Sequence, residues 1–174
     1  MIRPLRTLFI AGLALAFLAP ALDAQAQSPA DQKRTLKAWK LFYKAPGMIE
    51  TEPRYMRGTL MITGSVPTEE HIAQADELAS KLKGVKEVRN RLRVSAPEVA
   101  AGGDSEIQAK IDKKIEDDEE TQKPKAKGQL EVTVVDANVT VVGKVNDYMV
   151  AHSLIRDIRR TIGVKTINFD KLKY

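Results

Sequence analysis

The chain contains 174 residues, with 28 Lys and Arg, 23 Asp and Glu and no cysteine, for a formal net charge of +5. The lack of cysteine excludes disulfide bonds, thiolate metal sites and lipid attachment through an N-terminal cysteine. The charge is uneven, because residues 27–97 hold 13 basic and 8 acidic residues whereas residues 98–174 hold 13 and 14. Each half has about 70 residues, near the lower limit for a self-sufficient core, so we expect the halves to pack on one another or on a partner.

The first 26 residues have the composition of an export signal. Arg3 and Arg6 precede the uncharged apolar run Leu8–Leu18, and Ala24-Gln25-Ala26 has the small-residue pattern of a cleavage site. The apolar run is short for a membrane span, which disfavours the alternatives of an uncleaved anchor or a buried helix. We therefore expect cleavage near Ala26 and an exported mature chain that is not a lipoprotein and has no transmembrane segment.

An amphipathic segment follows at Lys33–Lys44. On a helical wheel its apolar side chains share one arc and its lysines share the opposite one. The apolar set is Leu36, Trp39, Phe42 and Tyr43, and the lysines are Lys33, Lys37, Lys40 and Lys44. The pattern fits a first helix that packs its aromatic side chains on a sheet, and it also fits a helix lying in a membrane interface through Trp39 and Phe42. We favour core packing because the first half otherwise lacks a first helix.

The next segments of the first half alternate between strand and helix patterns. Thr51–Met56 contains Pro53, which cannot donate to a sheet ladder, so we expect an edge strand or an irregular segment there. A second strand, Leu60–Val66, leads to a helix that Thr68 can cap. The apolar face of this helix consists of Ile72, Ala75, Ala79 and Leu82.

The end of the first half is basic. Gly84 closes the helix, and the final strand, Val88–Val94, comes after it. Six cations lie around this strand: Lys81, Lys83, Lys86, Arg89, Arg91 and Arg93. The three arginines alternate with other residues and therefore share one face of a strand. We predict that the six cations bind an anionic membrane surface or another anionic partner, the alternative being a solvated face that discourages edge pairing.

Small residues separate the two halves. Ser95-Ala96-Pro97 and Ala100–Gly103 have the composition of a linker, which we assign to residues 97–104. Ser105 and Gln108 then have the spacing of a capping box at the start of a helix. The apolar stripe of this helix is Ile107, Ile111 and Ile115.

A predicted loop leads into the strands of the second half. Asp117–Lys127 is polar, contains Pro124 and is therefore predicted to be a loop. A turn at Asp136–Asn138 separates the predicted strands Leu130–Val135 and Val139–Val145.

One more helix and strand complete the second half. Asn146 is placed to cap the helix, and Gly163 is placed to end it. The apolar face of the helix is Ala151, Leu154, Ile155, Ile158 and Ile162. A last strand is predicted at Val164–Phe169.

Two stretches of the first half recur in the second half at a constant offset of 79 residues. Leu60–Val66 matches Val139–Val145, and Gly84–Val88 matches Gly163–Ile167. Repetition at a fixed spacing indicates a duplicated domain. We therefore predict an α+β protein with two tandem small αββαβ domains, residues 27–96 and 105–174, after a cleaved signal peptide at residues 1–26.

Four glycines occupy equivalent places in the two copies: Gly64, Gly84, Gly143 and Gly163. We predict structural roles for them, through positive φ angles or close backbone approach. Phosphate binding is the alternative, and it is disfavoured because the chain has no glycine-rich phosphate loop of the required spacing.

The repeated motifs resemble those of the BON domain family. The resemblance rests on Thr63-Gly64-Ser65-Val66 with its looser copy Val142–Val145, and on Gly84-Val85-x-x-Val88 with Gly163-Val164-x-x-Ile167. It covers most of the chain after residue 26, and the departures from it are Pro53 and the long polar stretch after Ile115. Similarity to this family implies a small α+β fold for each copy, no catalysis, and binding of phospholipid or other envelope partners.

The sequence gives little support to catalysis or metal binding. The two histidines, His71 and His152, do not align between the copies. The acidic run Asp117–Glu120 lacks the alternating ligands and central glycine of a calcium loop. We therefore expect no enzymatic activity, no cofactor and no metal.

Two functional classes remain. We predict a non-catalytic periplasmic envelope protein that binds phospholipid head groups or envelope partners, with a role in envelope integrity or osmotic stress. The alternative is an assembly or scaffold protein that uses the repeats for subunit or protein contacts. The basic charge would suit nucleic acid, but an exported chain has little access to it, so we expect no nucleic-acid partner.

Overall fold

The computed structural model describes residues 27–95 and 102–174, which form two α+β domains of similar build. Each contains a helix, two strands, a second helix and a final interrupted strand, in the order predicted from the sequence. The predicted signal peptide at residues 1–26 and residues 97–101 of the predicted linker lie outside the described residues.

The first domain places two helices on one face of a sheet. Its elements are α1 (Pro29–Phe42), β1 (Thr51–Met56), β2 (Thr59–Val66), α2 (Glu69–Ser80), β3 (Glu87–Asn90) and β4 (Arg93–Val94). Strand β2 is central, with β1 antiparallel to it and β3 and β4 parallel to it. Leu60, Ile62 and Val66 alternate along β2 and are buried beneath the helices, because side chains two residues apart share a face.

Strand β1 is an edge strand, which was one of the two alternatives predicted for this segment; the other was an irregular segment. Among the described residues it pairs with β2 alone, and Pro53 lies opposite Ile62 in this pairing. A proline is tolerated at an edge because no second neighbour needs its missing N–H. The Pro53 carbonyl oxygen accepts a hydrogen bond from the Trp39 indole N–H at 2.9 Å, which fastens α1 to the strand.

The second domain repeats this arrangement with one additional helix. Its elements are α3 (Asp104–Glu116), α4 (Glu119–Ala126), β5 (Leu130–Val135), β6 (Asn138–Lys144), α5 (Tyr148–Arg159), β7 (Thr166–Asn168) and β8 (Leu172–Lys173). Strand β6 is central, with β5 antiparallel and β7 and β8 parallel to it. The predicted turn between β5 and β6 contains Asp136 and Ala137, whose φ angles are 53° and 65°.

Helix α4 corrects the prediction of a loop at Asp117–Lys127. Asp118 caps this helix by accepting a hydrogen bond from the Glu120 N–H at 3.0 Å, and Thr121 is buried with its hydroxyl bonded to the Ile115 carbonyl. Pro124 lies near the end of a helix of 8 residues, where it removes only one internal hydrogen bond. A well-capped short helix therefore tolerates the proline that favoured a loop.

Two predicted caps differ from those observed, and a third lacks its side-chain hydrogen bond. The Ser105–Gln108 capping box is wrong, because α3 begins at Asp104 with Gly103 at the cap position, and Gln108 instead donates to the Val132 carbonyl. Helix α5 is capped by Asp147 rather than Asn146. Thr68 does occupy the cap position of α2, but its side chain makes no capping hydrogen bond there.

The last strand of each domain is interrupted. The predicted strand Val88–Val94 is divided into β3 and β4, and the strand predicted at Val164–Phe169 is shorter, with β8 following a break. Helix α5 also ends at Arg159, so Ile162 is not part of its apolar face and is 58% exposed. Three residues separate β7 from β8, whereas two separate β3 from β4, so the break in the second domain contains one additional residue.

The repeated glycines all have positive φ angles, of 109° at Gly64, 87° at Gly84, 131° at Gly143 and 98° at Gly163. Gly64 and Gly143 also lie where two strands approach closely. A Cβ atom would lie 2.1 Å from the Glu50 carbonyl oxygen at Gly64 and 2.0 Å from the Gln129 carbonyl oxygen at Gly143. Glycine is therefore required there by both conformation and space.

Helix α1 joins the two domains. Its Trp39 hydrogen-bonds to the sheet of the first domain and stacks on His152 of α5, with ring centroids 4.3 Å apart. At its end, the Tyr43 carbonyl accepts a hydrogen bond from the Ile167 N–H of β7 at 2.7 Å. The domains therefore pack on one another, which was one of the two arrangements expected from their small size.

Candidate binding surface

One face of the first sheet is not covered by the helices. Because β1 and β2 pair antiparallel, Arg54 and Met61 lie opposite each other, and the parallel pairing of β2 with β3 places Arg89 beside Met61. Leu60 and Ile62 occupy the alternate positions under the helices. Arg54, Met61 and Arg89 therefore project from the uncovered face.

These side chains line a basic cleft of about 420 Å³. Its lining residues, which define the cleft below, are Arg54, Met56, Arg57, Thr59, Met61 and Arg89. Arg57 comes from the turn between β1 and β2, where its φ angle is 51°. The cleft thus combines three guanidinium groups with two flexible, apolar methionine side chains.

The three arginines differ in their ion pairing. The Arg89 Nε donates to a Glu87 carboxylate oxygen at 2.8 Å, and this hydrogen bond lowers the pKa of Glu87 and raises the pKa of Arg89. Within residues 27–95 and 102–174, no ion pair involves Arg54 or Arg57. Two of the three cationic groups are therefore not neutralised by an acidic side chain in this part of the chain.

The six predicted binding cations do not form one surface. Arg89 lines the cleft, and Arg93, opposite Ser65, lies on the same face of the sheet. Arg91 lies between them in the break and is exposed.

The three lysines of the predicted set are placed differently. Lys81 and Lys83 follow α2 on the helix side of the sheet, where Lys81 forms an ion pair with Glu77 at 2.8 Å. Lys86 packs beside Gly58, to whose carbonyl its backbone N–H donates. The structure therefore groups the arginines of the predicted set and separates Lys81 and Lys83 from them.

Four residues that line the cleft were not predicted from the sequence: Arg54, Met56, Arg57 and Met61. Glu52, Arg54 and Met56 alternate along β1, and this alternation was the available signal. It could not be combined with Arg89 without the register of three strands. The cleft is produced by pairing β1 with β2 and β2 with β3.

The cleft positions of the second domain are not basic. Its register places Thr133, Asn138, Thr140 and Asn168 where the first domain has Arg54, Thr59, Met61 and Arg89. The cations Lys144 and Lys173 pair further along β6 on this face. The two copies therefore present different chemistry at the position of the cleft.

Trp39 and Phe42, the two residues predicted as possible membrane contacts, are 3% and 0% exposed. Both lie in the core, which corresponds to the core-packing alternative for this helix. No helix among the described residues has the length and apolar character needed to cross a membrane.

The two histidines are separate structural residues. His71 Nδ1 lies 2.8 Å from the Thr68 hydroxyl, whereas His152 is stacked on Trp39. Within the described ranges, no three His, Asp or Glu side chains are grouped so that they could hold a metal ion. The fold and this surface together define a two-domain α+β protein with a basic sheet face in one domain.

Comparison with protein families agrees with the repeat. The BON domain family model matches residues 56–96 and 103–174, more than half of the chain. The chain therefore belongs to the BON domain family and contains two copies of the domain, as its repeated motifs predicted. The first match begins at the end of β1, so α1 lies outside it.

Two solved structures match the chain over much of its length. Both are of CdsD, a structural protein of the type III secretion system of Chlamydia trachomatis, and one is described as its C-terminal domain. Each is 16% identical, has a TM-score of 0.33 and covers 83% of this chain, which in turn covers 67% and 63% of the two matched chains. A search of curated proteins finds no match.

Proposed function

We propose that this protein is a non-catalytic envelope protein that binds anionic phospholipid head groups through the basic cleft of its first domain. The observation that carries this proposal is the grouping of Arg54, Arg57 and Arg89 beside two methionines on an uncovered sheet face. Guanidinium groups suit phosphate because their planar donors can bind two oxygens at once. The methionine side chains offer apolar contact to the adjoining part of a lipid.

The expected attachment is weak and reversible. Each basic residue close to an anionic membrane contributes about 1 kcal/mol, so three arginines raise partitioning by roughly a hundredfold at low salt. Salt screens this attraction, with a Debye length of about 8 Å at physiological ionic strength. Binding should therefore depend on both the anionic lipid and the salt concentration.

The proposal includes export to the periplasm. Its support is the pattern of Arg3, Arg6, the apolar run Leu8–Leu18 and the small residues up to Ala26. Mass spectrometry of the protein recovered from a periplasmic fraction should give a mature chain that begins near Gln27. Recovery of a chain that retains residues 1–26 would contradict cleavage.

Vesicle co-sedimentation tests the lipid proposal. The chain from Gln27 onward is mixed with phosphatidylcholine vesicles, with and without phosphatidylglycerol, at low and high salt. We expect sedimentation only with phosphatidylglycerol at low salt, and a loss of about tenfold or more in affinity for Arg54→Ala/Arg57→Ala/Arg89→Ala.

A matched control removes the same charge from the second domain. Lys165→Ala/Lys171→Ala/Lys173→Ala changes three exposed cations that lie outside the cleft. This variant should bind nearly as the parent does. Equal losses in the two variants would mean that net charge, rather than the cleft, controls binding, and no sedimentation of the parent would contradict the proposal.

A further inference from the structure

The end of α1 covers the last strand of the second domain. The Tyr43 carbonyl accepts the Ile167 N–H at 2.7 Å, and Lys44 forms an ion pair with Asp170 just beyond β7. Ile167 and Phe169 are both fully buried. The edge of β7 is therefore protected by the first helix of the other domain.

The first helices of the two domains are held by equivalent contacts. The Asp31 carboxylate accepts the Arg57 N–H at 3.3 Å, and the Asp104 carboxylate accepts the Asp136 N–H at 2.7 Å. Arg57 and Asp136 are themselves related by the 79-residue repeat offset. Asp31 and Asp104 are thus equivalent positions, one in each helix.

Counting along the chain from these two aspartates gives the equivalent positions at the ends of α1 and α3. The same number of residues separates Asp31 from Lys44 and Asp104 from Asp117. The equivalent of Tyr43 is likewise Glu116. The repeat offset relates Ile167 of β7 to Val88 of β3. It also relates Asp170 to Arg91, each of which lies in the break after its strand.

The last strand of the first domain lacks such a cover within the described residues. Val88 is 39% exposed, whereas its equivalent Ile167 is fully buried, and Val94 of β4 is 50% exposed. The Glu87 and Arg91 N–H groups point towards β2, where they donate to the Gly58 and Ile62 carbonyls. Because N–H direction alternates along a strand, the Val88 N–H points to the outer edge.

We propose that a second copy of this chain covers this edge, with the end of its α3 placed on β3 as the end of α1 is placed on β7. The Glu116 carbonyl of one copy would then face the Val88 N–H of the next, and Asp117 would face Arg91. This contact uses the edge of the first sheet rather than the basic cleft, so it is independent of the proposed lipid binding.

The charges of the equivalent residues support this pairing. Each member of the ion pair within the chain is replaced by a residue of opposite charge in the proposed contact between copies. Lys44 and Asp170 within the chain correspond to Asp117 and Arg91 between copies. Exposed Glu116, Asp117, Glu119 and Glu120 lie around the end of α3, where Glu119 pairs with Lys123. Four cations, Lys110, Lys113, Lys114 and Arg160, line a pocket with Asp117. Of these, Lys110 pairs with Glu106 and Lys114 donates to the Asp157 carbonyl. The edge of the first domain carries Arg91 and Arg93.

The contact should be weaker than the one within the chain. Trp39, which stacks on His152 within the chain, corresponds to Asp112, so the apolar part of the contact is missing. Exposed ion pairs contribute little and are screened by salt. The two ends of a copy are different surfaces, so the contact joins the α3 end of one copy to the β3 edge of another and strengthens with concentration.

Variants that reverse the charge of one end test the proposal. They are compared with the parent by sedimentation velocity at low and high salt. The acidic-end variant is Glu116→Lys/Asp117→Lys/Glu119→Lys, and the edge variant is Arg91→Glu/Arg93→Glu. The parent should show a sedimentation coefficient that rises with concentration at low salt. Each variant alone should associate about tenfold more weakly or worse, because its two ends then carry like charges.

An equimolar mixture of the two variants should restore association, since each end of one variant again meets an opposite charge on the other. As a matched control, Glu69→Lys/Glu70→Lys/Glu77→Lys makes the same change in net charge on α2 and should associate as the parent does. The acidic-end variant should also retain binding to phosphatidylglycerol vesicles. A parent that stays monomeric at low salt, or a mixture that associates no better than its components, would overturn the proposal.

Discussion

The imidazole of His152 lies between the two domains, in contact with the indole ring of Trp39. Burial is the main cause that lowers its pKa from the ordinary value of 6.5, and the positive charges of Arg156 and Arg54 act in the same direction. Glu52 and Asp157 oppose this shift. Since the folded protein holds the neutral imidazole more strongly than the unfolded chain does, protonation of His152 favours unfolding.

We therefore expect the contribution of His152 to be fully present above the unfolded pKa of about 6.5 and to be lost as pH falls through its lower folded pKa. His152→Phe keeps an aromatic ring against Trp39 but cannot take up a proton. Urea denaturation followed by circular dichroism should show a smaller loss of unfolding free energy between about pH 7 and pH 5 in the variant. Parallel pH profiles for the two proteins would contradict this account.

A comparison of two glycines distinguishes the effect of a strained backbone conformation from that of steric crowding. Gly128 and Gly143 have φ angles of 66° and 131°, but only at Gly143 would a Cβ atom meet another atom, the Gln129 carbonyl oxygen. We expect Gly128→Ala to lower the unfolding free energy by about 1 kcal/mol and Gly143→Ala by about 3 kcal/mol or more. Urea denaturation of both variants measures the difference, and equal losses would show that the close approach of the strands has little effect.

At the scale of elements, the same aspartate contact fastens the first helix of each domain to the turn between its first two strands. Asp104 accepts hydrogen bonds from the Asp136 and Ala137 N–H groups, both at 2.7 Å. Asp31 makes one such contact with Arg57. These contacts orient the helices on the sheets, and they were not predicted because they connect residues far apart in the sequence.

Asp104→Ala should therefore lower the unfolding free energy by about 2 kcal/mol, since it leaves two backbone donors without a charged acceptor. Glu106→Ala is a suitable control on the same helix, because Glu106 pairs only with Lys110 one turn away and should contribute less than about 0.5 kcal/mol. Thermal or urea denaturation distinguishes the two. A loss for Asp104→Ala no greater than that for the control would show that the turn does not depend on the helix.

The order of helices and strands could be predicted because hydrophobic periodicity and repeated glycine motifs are local signals. Details that depend on competing local contacts could not be predicted from the sequence. Asp147 caps α5 in place of its neighbour Asn146, and Asp118 with buried Thr121 stabilises a helix despite Pro124. In both places several polar residues could have made the contact, and packing determined which one does.

At the scale of the whole molecule, the two domains share a fold but differ in surface. Arg54, Arg57 and Arg89 line the cleft of the first domain, whereas Thr133, Asp136 and Asn168 take the equivalent positions in the second. The excess of positive charge in the first half was evident from the sequence. Of the three arginines that line the cleft, only Arg89 was predicted to bind a partner. Arg54 and Arg57 reach the cleft through strand pairing that no local pattern reveals.

The proposed function requires that the basic cleft of the first domain binds an anionic head group. Arginine side-chain NMR signals test it directly, by titrating the protein with nanodiscs of phosphatidylglycerol and, separately, of phosphatidylcholine. We expect the Nε–Hε signals of Arg54, Arg57 and Arg89 to shift with phosphatidylglycerol alone, and those of Arg156 and Arg159 in α5 not to shift. Shifts confined to the second domain, or equal shifts with both lipids, would contradict it.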